Sequence, residues 1–332
     1  MLRSRSVRLL LVAFAVLLAA GLALTFLPSD HYLVLPDRAR PTDPLVKIPG
    51  EESRSDDGGG IYMVDVRIGR ASLFERLFPQ VHEGADLLPE RAINPEGVSD
   101  RQRRRSSLNE MSRSQLVAIT VALRELGREV EVEPVGAEVV LVQPGAPAEG
   151  ELEVGDVIVD ADGEEVTTTA SLQRAMSDLA PGDEVTLAVE REAETIELTL
   201  ATRAAGDNPG RAVVGVQVRD AEDFRFPVDI EIDAGSIGGP SAGLAFALDI
   251  VDELGDDVDG GRTIVATGEL SLDGDVGPIG GIKQKVIGAR DAGADVFLVP
   301  DRNAADARAV ADGLEIVAVS DFDEALAALA TR

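Results

Sequence analysis

The first strong pattern is a block without polar relief. Residues 9–27, "LLLVAFAVLLAAGLALTFL", carry no charge. As a helix rising about 1.5 Å per residue they come close to spanning a bilayer core of about 30 Å. Arg3, Arg5 and Arg8 precede the block and the next basic residue is Arg38. The positive-inside rule then places the N-terminus in the cytoplasm and everything after about residue 30 outside. A cleaved signal peptide is the alternative, with Gly21-Leu22-Ala23 as a small-x-small site. The block is longer than the roughly 7–15 residues such a peptide needs, which favours an uncleaved anchor.

After the block the pattern loosens. Residues 31–60 are rich in Pro, Gly, Asp and Ser, end in "EESRSDDGGG" and read as a linker. The segment 61–127 is mixed. "IYMVDVRI" (61–68) reads as a strand and "SLFERLF" (72–78) as a short amphipathic helix. "RQRRRSSLN" (101–109) reads as a solvated basic loop, with anionic lipid headgroups as the sharper use of its charge. A helix is predicted over 112–127, capped by Ser112 and stopped by Gly127, from the spacing of Leu116, Ile119, Leu123 and Leu126. Residues 128–203 switch to alternating strands around one short helix. From 204 to 332, after the turn-rich "AAGDNPG", strand and helix patterns alternate as in an α/β domain.

Composition removes several kinds of chemistry. The 332 residues include 60 Asp and Glu against 31 Lys and Arg, a net charge of −29 that repels nucleic acid. Cysteine is absent, so disulfides and thiolate chemistry are excluded. The only histidines, His31 and His82, lie far upstream of the candidate chemistry, which argues against a Ser-His-Asp triad and a His-rich metal site. "GPIGGIK" (277–283) has Ile282 where a phosphate-binding loop needs its second glycine, so ATP binding is not expected. Asp160-Ala161-Asp162-Gly163 lacks the remaining calcium ligands and reads as an Asp-Gly turn. No metal and no cofactor is expected.

The candidate chemistry sits in "DAGSIGGPSAGLAFAL" (233–248). Gly239 and Pro240 clear the space before Ser241, and Leu244, Leu248 and Val251 predict the buried face of a following helix. Free N–H groups at the start of that helix would hold a developing oxyanion. In "GPIGGIKQKVIGARDAG" (277–293), Lys283 follows a Gly-Gly turn among aliphatic neighbours. Burial there would lower its pKa and let the neutral amine take the Ser241 proton. Lys285 reads as a surface lysine.

Two stretches carry resemblances. "VQPGAPA" (142–148) and "LEVGDVIVDADGEEV" (152–166) resemble a PDZ domain of the bacterial protease type. That resemblance implies strand addition of an extended peptide, with Leu126-Gly127 as a weak candidate for the carboxylate-binding loop. "GGPSAGLAFAL", "TGEL" and "GPIGGIKQK" resemble the proteolytic domain of Lon-type serine proteases, and the order anchor, PDZ, Lon resembles the bacterial membrane-anchored PDZ-Lon proteases. The fold implied is an α+β multidomain chain: a transmembrane helix (1–30), a PDZ-like β-rich module (128–203) and a C-terminal Lon-type α/β protease domain (204–332). The resemblance implies a Ser241–Lys283 dyad, with Thr267 orienting the lysine amine and Gly239 and Pro240 shaping the nucleophile's turn. It also implies ATP-independent cleavage of protein or peptide substrates, and assembly of copies into a ring. The competing class is a non-catalytic PDZ adaptor with an oligomerising Lon-like domain.

Overall fold

The computed structural model describes residues 2–50, 59–94, 98–255 and 257–330; most of "EESRSDDGGG", residues 51–58, lies outside them. The apolar block forms α1 (Leu2–Phe26), whose window Leu9–Phe26 is entirely unburied. A helix this apolar without protein cover is long enough to cross a membrane. One such helix near an N-terminus fits either a span or a signal sequence.

The stretch read as a linker is built into the body. It supplies β1 (Pro28–Pro36), β2 (Arg40–Pro41) and β3 (Val46–Lys47), followed by β4 (Gly60–Met63) and β5 (Val66–Ser72). The predicted strand 61–68 is thus two strands in two sheets. Between β2 and β3 the buried Thr42 hydroxyl donates a 2.6 Å hydrogen bond to Asp249, 207 residues away, whose carboxyl burial pushes well above its ordinary value. Short strands in Pro- and Asp-rich sequence carry no periodicity of their own; distant partners hold them.

Next come α2 (Leu73–Leu77), β6 (Asp86–Pro89), α3 (Glu90–Ile93) and α4 (Asp100–Glu125). Ser72 and Glu75 form a capping box at α2, as the predicted helix requires. Helix α4 starts twelve residues earlier than its apolar spacing suggests. Ser99, not Ser112, is its cap, and Gln102 closes the capping box. The basic run is therefore helical. Arg103 lies over the Tyr32 ring, Arg104 donates to the Ser236 carbonyl and Arg105 pairs with Glu153, so these charges are used inside the molecule.

The chain then leaves the body to build a separate β module: β7 (Glu131–Val142), β8 (Val157–Ala161), β9 (Glu164–Glu165), α5 (Thr169–Ala175), β10 (Glu184–Arg191), β11 (Glu194–Ala201), β12 (Arg203–Ala204), β13 (Ala212–Val213) and β14 (Val216–Arg225). Its sheet runs β11-β10-β8-β7-β14, with β9 on β8, around an aliphatic core that includes Val139, Ile158, Leu187 and Val189. Strand β14, which follows "AAGDNPG" in the stretch read as the start of the C-terminal domain, pairs with β7 and ends this sheet.

The chain returns with β15 (Glu231–Ile232), α6 (Gly243–Leu254), β16 (Thr263–Ala266), β17 (Glu269–Leu270), β18 (Val276–Gly277), α7 (Ile282–Ala292), β19 (Val296–Pro300), α8 (Asp301–Ala309), β20 (Glu315–Val319) and α9 (Phe322–Ala330). A sheet of order β2-β4-β16-β19-β20 is parallel from β4 to β20. Its strands are apolar on both faces, as a parallel sheet covered on both sides demands. Ile264, Ala266 and Leu298 face α4 and α6; Val265, Phe297 and Val299 face α7 and α8. Because β4 and α4 share this core with α6, residues 28–125 and 226–330 make one body, and the β module is an insertion within it. The predicted boundary at 204 cuts only the second half of that body.

Candidate active site

Ser241 lies in the turn just before α6, whose N-cap is Ala242. Three glycines make room here, two where a side chain would collide and one where the backbone is left-handed. A Cβ on Gly238 would meet Ser107 at 2.8 Å, one on Gly243 would meet the Ser114 hydroxyl at 2.8 Å, and Gly239 has φ +94°. Helix α4 braces this turn from outside. The Gly239 N–H donates to the Ser107 carbonyl at 2.7 Å, and the Ser114 hydroxyl donates to the Pro240 carbonyl at 2.9 Å. From inside, the Gly268 N–H and the Thr267 hydroxyl both donate to the Ser241 carbonyl, at 2.9 and 3.0 Å. The N–H groups of Ser241 and Ala242 have no acceptor among the described residues and stand free beside the hydroxyl.

The lysine beside Ser241 is Lys285. Its Nζ lies 2.6 Å from Ser241 Oγ and 2.9 Å from Thr267 Oγ1. Lys285 is 2% exposed and Thr267 fully buried. Desolvation lowers the Lys285 pKa to about 7, against a weaker upward pull from the Asp65 carboxylate. The expected base, Lys283, does not reach Ser241. Its ammonium is 40% exposed and pairs with Asp86 at 2.7 Å. Burial pushes the Asp86 carboxyl up, but hydrogen bonds from Lys283 and Gln284 outweigh this and hold it below its ordinary value.

The reason is helical phase. Lys283 and Lys285 differ by about 200° around α7 and face opposite ways. The inward stripe is Ile282, Val286 and Ala289, all buried, and Lys285 lies on it at i+3 from Ile282. That spacing was present in the sequence and marks Lys285, whereas closeness to the Gly-Gly turn points wrongly to Lys283. Thr267, expected to orient the Lys283 amine, instead accepts from the Lys285 amine. Gly239 and Pro240 shape the turn, but the Gly239 N–H is already engaged and is not an oxyanion donor.

A second site opens on the β module. Between β14 and α5 lies a groove of ≈ 690 Å³ lined by Leu172 and Met176 of α5, Val216 and Val218 of β14, and the loop 210–215. Strand β14 ends its sheet, so its outer edge is unpaired among the described residues. The Gln143 N–H donates to the Gly215 carbonyl, so Val216 opposes Val142 as a non-hydrogen-bonded pair and turns its own N–H and C=O toward that open edge. The preceding N–H groups of Val214 and Gly215 have no acceptor among the described residues. The weak candidate Leu126-Gly127 lies elsewhere: it closes the C-terminus of α4, with the Gly127 N–H on the Arg124 carbonyl.

An α/β body with a serine–lysine pair at a helix start, interrupted by a grooved β module, defines a two-part peptidase architecture. Comparison with known proteins gives each part its family. Residues 214–332 match the Lon protease (S16) C-terminal proteolytic domain, and residues 118–202 match the PDZ domain. The chain thus carries a Lon-type serine peptidase domain and a PDZ domain. Lon protease of Rickettsia bellii (strain RML369-C) is 38% identical over 118 residues, covering 34% of this chain and 15% of the relative. Lon protease 2 of Bacillus subtilis (strain 168) is 40% identical over 103 residues, covering 31% of this chain and 18% of the relative. The chain therefore spans less than a fifth of the length of these relatives. The solved PDZ domain of the SdrC-like protein from Listeria monocytogenes is 20% identical, covers 25% of this chain and 87% of its own, and has a TM-score of 0.24. The PDZ assignment stands on the family match.

Proposed function

We propose that this chain is a membrane-anchored, ATP-independent endopeptidase that cleaves exported or membrane protein substrates, with Ser241 as nucleophile and Lys285 as general base. The observation that carries the reading is the 2.6 Å contact between Lys285 Nζ and Ser241 Oγ, with Lys285 buried. Burial keeps a large fraction of the amine neutral near pH 7, so it accepts the Ser241 proton as the oxygen attacks a peptide carbonyl. Thr267 fixes the amine by accepting one of its N–H bonds while its own hydroxyl is spent on the Ser241 carbonyl. The free Ser241 and Ala242 N–H groups receive the negative charge that develops on the carbonyl oxygen. The protonated Lys285 then donates to the leaving amine, and water releases the acyl group from Ser241 with Lys285 again as base.

The PDZ groove serves as the docking site. The N–H groups of Val214, Gly215 and Val216 receive a C-terminal carboxylate, and the open edge of β14 pairs with the tail behind it. The anchor is α1, with the N-terminus cytoplasmic and the body outside. The test is cleavage of an unstructured protein by wild type, Ser241→Ala, Lys285→Ala and Lys283→Ala. Loss of activity in the first two variants with retention in the third is expected. Retained activity in Lys285→Ala would refute the assignment of the base.

A further inference from the structure

Large apolar side chains are almost absent from the surface of the body. Beyond α1, six are exposed among the described residues, and five of them, Leu27, Ile68, Leu77, Phe78 and Val81, lie in the small N-terminal subdomain where α1 ends. Leu77, Phe78 and Val81 are 60%, 44% and 58% exposed and sit on α2 and the turn Pro79–Val81 that follows it. Phe74 supports Phe78, their ring centroids 5.2 Å apart. This apolar tip is placed by α1 itself: the Leu73 N–H that begins α2 donates to the carbonyl of Leu27, the residue after the apolar helix, at 2.8 Å. The tip therefore lies at the height where the helix would leave a bilayer.

The nearby cations are already matched. Arg70 pairs with Glu90, Arg76 with Asp30, and Arg67 lies near Asp37. The tip offers apolar area and little net charge. In a chain of net charge −29, that combination suits the interfacial region of a bilayer better than attraction to anionic headgroups.

We propose that Leu77, Phe78 and Val81 dip into the outer bilayer surface beside α1 and give the body a second membrane contact. The inference rests on reading residues 9–26 as a bilayer anchor. Its consequence is a fixed orientation. Asp86 on β6 of the same subdomain holds Lys283 and Gln284 of α7, the helix that carries Lys285. Two contacts with the bilayer, α1 and the tip, stop the body from swinging on its anchor and hold the Ser241 pocket at a set height. Protein segments close to the membrane surface are then the substrates within reach.

The chain contains no cysteine, so single labels are clean. Full-length protein is reconstituted in phosphatidylcholine vesicles with an environment-sensitive fluorophore on Leu77→Cys, Phe78→Cys or Val81→Cys, and with Leu18→Cys and Val135→Cys as controls. Lipids brominated near the top of the acyl chain act as quenchers. The expected result is a blue shift and a roughly twofold loss of emission at 77, 78 and 81, unchanged in high salt, with quenching at 18 and none at 135. Quenching at 18 without quenching at the tip overturns this proposal and leaves the anchor standing. No quenching at 18 overturns both. A blue shift at the tip without lipid quenching, lost on dilution, means that a second copy covers the tip and also overturns the proposal.

Discussion

The pocket around Ser241 and the groove along β14 handle polar groups in opposite ways. In the pocket nearly every polar atom is spent. Thr267 is held by Ser241 and Lys285, the Gly239 N–H by Ser107, and the Pro240 carbonyl by Ser114. The Ser241 and Ala242 N–H groups have no acceptor among the described residues. The groove keeps its polar groups open along an unpaired edge, lined by aliphatic side chains that a guest would cover. Chemistry needs the first arrangement, because burial disfavours the charged ammonium and so makes a lysine a base near neutral pH. Recognition needs the second, because strand addition requires donors and acceptors without partners.

The comparison breaks most visibly at the base. Lys285→Ala and Lys285→Arg should each cost on the order of 10²–10⁴-fold in kcat/KM, as loss of a general base does, with the Arg variant failing because a guanidinium stays protonated. A thermal melt checks that both remain folded. A near-normal rate in the folded Arg variant would contradict the assignment.

A pH profile sharpens the same point. Protonated Lys285 cannot accept the Ser241 proton, and its folded pKa of about 7 lies far below the ordinary lysine value. Activity should therefore rise with pH through about 7 and fall roughly tenfold per pH unit below it. A flat profile between pH 5.5 and about 8.5 would rule out this base.

The groove should respond differently. Val218→Lys places a charge on its apolar wall and should reduce cleavage of a protein with an apolar C-terminal tail by about tenfold, the equivalent of ~1.4 kcal/mol. A short peptide without such a tail should be cut at the wild-type rate. Equal losses on both substrates would show that the groove is not a separate docking site.

Lys283→Ala should have the smallest effect. A half-exposed pair with Asp86 contributes about 0–1 kcal/mol, so stability and rate should both stay near wild type. A large loss of rate with normal folding would return Lys283 to the chemistry.

What the sequence revealed follows from how local each determinant is. The turn at Ser241 is written in adjacent residues, since small residues before an apolar helix give the nucleophile its exposure. The lysine that meets Ser241 is written in helical phase, three residues from Ile282 and four from Ala289, and weighing the turn above the phase points instead to Lys283, which faces Asp86. The first half of α4 was hidden because it packs between the body and the inserted module through polar side chains, Asn109 to Glu138 and Arg113 to Glu222, and shows no apolar stripe. The pairing of β4 with β16 was illegible for another reason: two hundred residues separate Ile61 from Ile264, and nothing local in either strand names the other. The pairing of β14 with β7 is not legible either: the Gly- and Pro-rich stretch before β14, here part of the groove's rim, looks like an interdomain linker, and nothing in β14 names a partner strand that lies before it.

The central claim is that burial, not a neighbouring histidine, makes the base. The chain has only three lysines, Lys47, Lys283 and Lys285. Selective labelling of the lysine ε-carbons in the full-length protein therefore gives three resonances to titrate. One should titrate near 7 and disappear in Lys285→Arg. The absence of any lysine resonance titrating near 7 would contradict the account.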